Sequence, residues 1–370
     1  MARPPHIFRW DLDKTYLATE FDTLLDLVRT ARLTAEQREN IPGSAAMIRA
    51  IRDDPDTLHQ IFFLSGSPSQ MRKVLEQKFA LDGFVPDGFV LKPTLGHIVR
   101  GRFRAVRGQV PYKLEQLLIG RSEVPVGASE TLFGDDAESD AFIYSLYADV
   151  VAGRVDPAQL SELLRKCGAY PDQIRLLEDA LESVVREDPV QRIVIHLDQS
   201  TPPAAFAPYF PRVVPIYNHL QTAFVLYLDG ALGPKGIRMV GRELLARYGF
   251  NVERLVNLAE DILRRRRQHH PLDFLEQTIV DVRSLVGLDD PGSDLETDEV
   301  RTQLNQLTDD LLAQIADRAA TIRASTQRPP EPPAEAAIDY FAQWEAEEER
   351  ARERKRIKKL AAPSESSAPR

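Results

Sequence analysis

Asp11 and Asp13 stand two residues apart where the apolar run His6-Ile7-Phe8-Arg9-Trp10 ends. In an extended chain, positions i and i+2 point the same way, so both carboxylates can face one small site. Two such charges are costly side by side unless a cation lies between them or one of them takes a proton. The pair therefore suits a metal site, or a nucleophile beside a general acid. Asp-x-Asp before a turn is also ordinary loop chemistry, in which the side chains bind nearby amides.

Three further segments bear on that choice. Gln60-Ile61-Phe62-Phe63-Leu64 is a continuous apolar run ending in Ser65-Gly66-Ser67-Pro68. It reads as a buried parallel strand, followed by a helix capped by Ser67 with Pro68 in its first position. Ser65 then sits at the strand tip, beside helix-start amides that favour an anion. Val110 to Leu118 is an amphipathic helix start with Lys113 early in it, where a cation opposes the macrodipole unless an anion lies near. Thr131-Leu132-Phe133-Gly134 ends in a cluster of acids, Asp135, Asp136, Glu138 and Asp140, ahead of another helix. Asp135 and Asp140 flank a turn and can reach one ion; hard oxygen ligands suit magnesium rather than zinc. Each segment alone has a plainer reading as a cap or a solvated charge.

In this order the four segments resemble the haloacid dehalogenase (HAD) superfamily of phosphatases. That pattern is Asp-x-Asp-x-Thr, a strand-end Ser or Thr, a Lys, then Gly-Asp with a further Asp. The closer likeness is to the catalytic domain of the actin-patch type of phosphatidate phosphatase. It is carried by Asp11 to Thr15, Ile41-Pro42-Gly43, Phe62 to Pro68, and Gly134 to Tyr144, within residues 1–150. It departs at Lys14, where that subfamily more often has Asp, and at Gly66, where it more often has Ser. The resemblance implies a magnesium-dependent phosphomonoester hydrolase that works through an aspartyl-phosphate. Asp11 would be the nucleophile and Asp13 the general acid and base. Ser65, the amide of Gly66 and Lys113 would hold the phosphoryl group. Mg2+ would be held by Asp11, Asp13 (through its carbonyl), Asp135 and Asp140, with Asp136 behind them. The implied substrate is a phospholipid such as phosphatidate.

These motifs need a scaffold. Apolar runs alternate with helical patterns through the first half of the chain, which argues an α/β fold with a doubly wound parallel sheet and ligands at the carboxyl ends of its strands. The resemblance makes this sheet HAD-like and Rossmannoid. Residues 1–230 are expected to form this domain, with helices over 157–187 inserted before late strands at about 190–230. Residues 192–198 read as a strand of the same sheet, and 223–230 as a strand or a buried helix. Thr19 to Asn40 reads as mostly helical, and Phe84 to Gln109 as β-rich or irregular excursions; both are small for a lid. His196, His219, Asp198 and Asp229 read as structural. Residues 231–325 read as a helical domain, with helices over 237–267 and 270–323. Residues 326–370 read as a Pro-rich linker and a charged, flexible tail; a solvated helix is expected over 345–359 and disorder over 364–370.

Composition bounds the function. The chain has 370 residues, 43% of them hydrophobic, and a net charge of -9, which argues against a general nucleic-acid binder. No apolar run is long enough to span a bilayer, and Met-Ala-Arg-Pro-Pro leads straight into the first strand, so no secretory signal is expected. The single cysteine, Cys167, is compatible with a reducing cytosol, so a cytoplasmic location is expected. Arg264 to Arg267 could contact an anionic surface, although cations also belong in a helix's last turn. Three alternatives stay open: a phosphatase of phosphoproteins, one of polynucleotide ends, and a non-catalytic interaction protein that recruits a partner through its helical half and tail.

Overall fold

The computed structural model describes residues 4–18, 33–55, 58–92, 108–267, 273–288, 297–326 and 336–361. Most of the helix expected over Thr19–Asn40 lies outside these residues, as do Gly101–Arg104, the Pro-rich stretch at 328–333 and the end at 364–370. Residues 33–40 are described and are turns and loop rather than helix.

Six parallel strands form one sheet: β1 (His6–Asp11), β2 (His59–Pro68), β3 (Gly88–Lys92), β4 (Ser129–Asp135), β5 (Val190–His196) and β6 (Val213–Ile216). Their order is β3-β2-β1-β4-β5-β6. The chain winds outward from β1 to β3, then returns to place β4 on the other side of β1. The strand order reverses between β1 and β4, and the crevice at that point is where open α/β sheets bind ligands.

Because side chains alternate along a strand, each strand feeds two cores. Phe8, Trp10, Phe63, Phe133 and Val194 lie on one face, under helices α1 (Ser44–Arg52) and α2 (Arg72–Leu81). Leu132, Ile193 and Ile195 lie on the other, under α3 (Gln109–Ser122), α4 (Asp140–Val151), α5 (Pro157–Lys166) and α6 (Pro171–Glu182). β5 is a late strand of the same sheet, as expected, and α4 to α6 are its crossover from β4. The ambiguous run at 223–230 is helical, in α7 (His219–Leu228). Asn218 supplies the N-cap, its side chain accepting from the amides of Leu220 and Gln221.

The helical second half also differs from its simplest reading. The stripe over 237–267 is two helices, α8 (Lys235–Arg247) and α9 (Val252–Arg266), broken at Gly249, whose φ of +65° favours glycine. α10 (Asp273–Ser284) and α11 (Asp298–Ser325) follow. Their apolar side chains join the core that also holds Phe8, Trp10 and Phe63. Within the arginine run, Arg264 pairs with Glu260, Arg265 with Asp261, and Arg266 with Asp229.

The charged tail holds a second difference. α12 (Tyr340–Ala361) does not stand away in solvent along its whole length. Tyr340 and Trp344 pack on Phe142 of α4, and the Tyr340 hydroxyl donates to Asp149 at 2.6 Å. The aromatic residues ahead of the acidic run supply the apolar surface that the run itself lacks.

At the amino end of the strands, far from the crevice, the buried Glu130 carboxylate accepts from Arg9 at 2.9 Å, Arg121 at 3.2 Å and the Tyr147 hydroxyl at 2.7 Å. Burial alone would raise its pKa, but these partners outweigh burial and hold it below the usual range. Its stabilising effect is therefore present above the unfolded pKa and lost as pH falls through the folded one. Glu130→Ala strands the buried Arg9 guanidinium and removes one partner of Arg121, which keeps Glu187 and the Ala128 carbonyl; it should cost about 3–5 kcal/mol in urea denaturation. A loss under about 1 kcal/mol would show that the cluster is not structural.

Candidate active site

The four segments singled out in the sequence meet at the carboxyl edge of the sheet. Asp11 ends β1, Asp135 ends β4, and Asp140 opens α4. One carboxylate oxygen from each of the three lies within 4.8 Å of the others. All three side chains are buried.

Lys113 comes from the second turn of α3 and is fully buried. Its ammonium lies 2.9 Å from Asp11, 2.6 Å from Asp140 and 2.8 Å from Glu138. Burial works against its charge, but Asp11, Asp140 and Glu138 outweigh it and lift the pKa well above that of a free lysine. The anion that a lysine early in a helix asks for is thus a set of carboxylates. One ammonium does not balance them all. Burial first, then the neighbouring acids, raises Asp11 and Asp135 well above the carboxylate range. Asp140 is pushed up to about 6, chiefly by burial.

The hydrogen bonding is uneven in a way that bears on a metal. Asp135 Oδ1 accepts from the amides of Ala137 at 2.6 Å and Glu138 at 2.9 Å, which fixes the turn. Asp140 receives Lys113 on one oxygen and the Asp135 amide on the other. Asp11 Oδ2 and Asp135 Oδ2 are buried with no hydrogen-bond partner among the described residues. Orphaned buried carboxylate oxygens are costly. Two of them beside a third carboxylate fit a hard divalent cation, and the all-oxygen donor set fits magnesium. Asp136 is not in this group. Its carboxylate accepts from the amides of Gln199 and Thr201, at 2.7 Å and 2.9 Å, and pins the loop after β5.

Asp13 stands apart from the carboxylate cluster. Its Oδ2 accepts from Ser65 Oγ at 3.1 Å and Ser67 Oγ at 2.8 Å. Ser67 is therefore not the helix cap expected of it. The strand continues to Pro68, a short 3-10 turn follows, and α2 begins at Arg72. The β2–β3 register shifts between Ser65 and Pro68, so Gly66 and Ser67 bulge out of the ladder and turn both hydroxyls toward Asp13. A Cβ on Gly66 would lie 2.9 Å from the Gln109 side chain, so Gln109 lies close over the bulge.

Gly134 has a direct chemical reason. A Cβ there would sit 2.5 Å from Asp140 Cβ and 2.8 Å from its Cγ, the space that Asp140 needs to reach Lys113. Gly134→Ala should push Asp140 and the start of α4 aside, lowering kcat/KM about 100-fold and the melting temperature as well. Unchanged kinetics would show that the position of Asp140 is not critical.

Sequence reasoning passed over several supports. Glu138 shares Lys113 with the two aspartates, although it looked like one more acid in a cap. His196 Nδ1 meets the Lys14 carbonyl at 3.0 Å, and His219 Nε2 meets the Thr15 carbonyl at 3.3 Å. These histidines hold the loop after Asp11 from β5 and α7. The loop turns through Lys14, whose φ is +59°. Burial, with His196 nearby, lowers His219 to about 3, so it is neutral near pH 7. The sequence reads both rings as structural, and no local pattern ties them to residues more than 180 positions away.

Residues 10–159 match the model of the family described as phosphatidate phosphatase APP1, catalytic domain. No curated protein and no solved structure matches the chain. No helix among the described residues is long and apolar enough to cross a membrane. Over residues 10–159 the chain is similar to that family's catalytic domain, as the resemblance in its motifs implies.

Proposed function

We propose that the protein is a magnesium-dependent phosphomonoester hydrolase of HAD type, working through an aspartyl-phosphate on Asp11. The observation that supports this best is the meeting of Asp11, Asp135 and Asp140 around two orphaned oxygens, with Lys113 against them. Asp11 attacks phosphorus and the bond to the leaving oxygen breaks, which splits one hard step into two. Asp13, half-buried and held by the hydroxyls of Ser65 and Ser67, protonates the leaving oxygen and later takes a proton from water. Water then opens the acyl phosphate and frees phosphate. Ser65, the Gly66 amide and Lys113 face the phosphoryl oxygens as charge builds on them. Asp140 and Glu138 hold Lys113 in place. Asp11 and Asp135 would hold magnesium through their orphaned oxygens, with Asp140 and the Asp13 carbonyl completing the protein's share. When bound, magnesium supplies the positive charge that lets an anionic nucleophile approach an anionic substrate.

Phosphatidate is the first substrate to try, because the matched family's description names it. Phosphate release from p-nitrophenyl phosphate, with magnesium and with chelator, tests the activity. Phosphatidate vesicles, phosphopeptides and phosphorylated DNA ends then test the class. Magnesium-dependent release with a preference for vesicles is expected; turnover of peptides or DNA ends with neglect of vesicles would move the assignment to those substrates.

A further inference from the structure

Asp135 is aimed by a single peptide unit. The Ala137 amide donates to Asp135 Oδ1 at 2.6 Å. That amide and the Asp136 carbonyl belong to one planar trans peptide, so they point in opposite directions and turn together. The Asp136 carbonyl accepts from Arg354 Nη1 of α12 at 2.7 Å. Arg354 and the Asp135 carboxylate thus hold opposite ends of one rigid unit. If the unit rotates, the Ala137 amide leaves Oδ1, and Oδ2, buried with no partner among the described residues, loses its aim. A guanidinium on the carbonyl also polarises the peptide, which strengthens the donor at its other end.

The rest of Asp136 is held from the β5 side. Its amide donates to the His196 carbonyl at 3.0 Å, and its carboxylate accepts from the Gln199 and Thr201 amides. Those bonds fix the residue, while rotation about its Cα–C bond still turns the peptide that follows. α12 can reach that peptide because its other end is anchored. Tyr340 and Trp344 pack on Phe142, the Tyr340 hydroxyl donates to Asp149, and Lys166 pairs with Glu345 at 2.5 Å. From Tyr340 to Arg354 a helix rises about 21 Å, enough to run from the last turn of α4 to the turn before it. Arg354 itself is half-buried, 218 positions from Asp136 and outside the residues that match the family model.

We propose, resting on the magnesium-dependent reading above, that Arg354 is a positioning residue for the metal site. It sets the direction of Asp135 through the 136–137 peptide, so the charged tail helix completes the site. Charge and position predict opposite effects here. The turn carries four acids, Asp135, Asp136, Glu138 and Asp140. A guanidinium beside them competes with a bound cation, so losing it as a charge alone would tighten magnesium binding. Losing it as a positioning residue weakens that binding.

Isothermal titration of magnesium into the full chain separates the two. Arg354→Met keeps the length of the side chain and loses the donor. It should raise the magnesium dissociation constant about tenfold, and Arg354→Lys should recover most of that loss. Tyr340→Phe removes the bond to Asp149 at the far end of α12. It should lower the melting temperature and leave magnesium affinity unchanged. Magnesium bound as tightly, or more tightly, by Arg354→Met overturns the proposal. Equal weakening by Tyr340→Phe also overturns it, because the effect would then belong to docking of the whole helix. In both cases a wild type that binds magnesium and releases phosphate from p-nitrophenyl phosphate leaves the phosphatase reading standing. A wild type that binds no magnesium overturns the metal reading together with the proposal.

Discussion

Asp11→Asn should abolish phosphate release, lowering kcat by about 10⁴-fold or more, while the protein stays folded. A carboxamide has no oxygen nucleophilic enough to attack phosphorus, so the covalent step is lost rather than slowed. The substitution keeps the shape of a buried side chain and removes a charge that burial and three other acids oppose. The metal-free variant should therefore melt no lower than wild type, which separates lost chemistry from lost structure. Trapping turnover in acid and mapping labelled phosphate to the peptide containing Asp11 in wild type, and to none in the variant, checks the intermediate. Undiminished turnover in Asp11→Asn would place the nucleophile elsewhere.

Asp135→Asn should have the second largest effect, on metal dependence. Its pKa in the fold is raised, by burial first and then by Asp140 and Glu138. For a carboxyl raised in this way, the native state binds the extra proton. Its favourable contribution is full below the unfolded pKa and fades as pH rises through the folded value. At neutral pH the metal-free protein thus carries strained acids, and a divalent cation relieves them. Magnesium at 100 times its dissociation constant should stabilise wild type by about 2.7 kcal/mol. In chelator, Asp135→Asn should melt above wild type, respond little to magnesium and release almost no phosphate. Scanning calorimetry at pH 7 with and without magnesium measures all but the last. A variant that keeps the full magnesium response would remove Asp135 from the metal site.

The parts of this fold that were legible share a cause. β1, β2, β4 and β5 are apolar runs that end in polar residues, and a strand buried on both faces needs such a run. Asp11, Ser65, Lys113, Asp135 and Asp140 each sit at such an end or at the helix start that follows, which brings them to one edge of the sheet. What was misread depends on partners distant in sequence. Ser67 has the form of an N-cap, but Asp13 competes for its hydroxyl and the β2 bulge delays the helix. Glu138 became a partner of Lys113 only when α3 and the 135–140 turn were brought together. The tail looked too charged to pack, yet Tyr340 and Trp344 anchor it on Phe142, and Arg354 reaches the Asp136 carbonyl at 2.7 Å. Arg266 of the basic run pairs with Asp229, 37 positions away in the chain.

Crystals of the full chain grown with manganese in place of magnesium, with anomalous scattering used to locate the ion, provide the decisive measurement. A single strong peak between the carboxylates of Asp11 and Asp135, lost in Asp135→Asn, is the expected result. Bound manganese elsewhere, with those two carboxyl groups turned away from each other, would contradict the account.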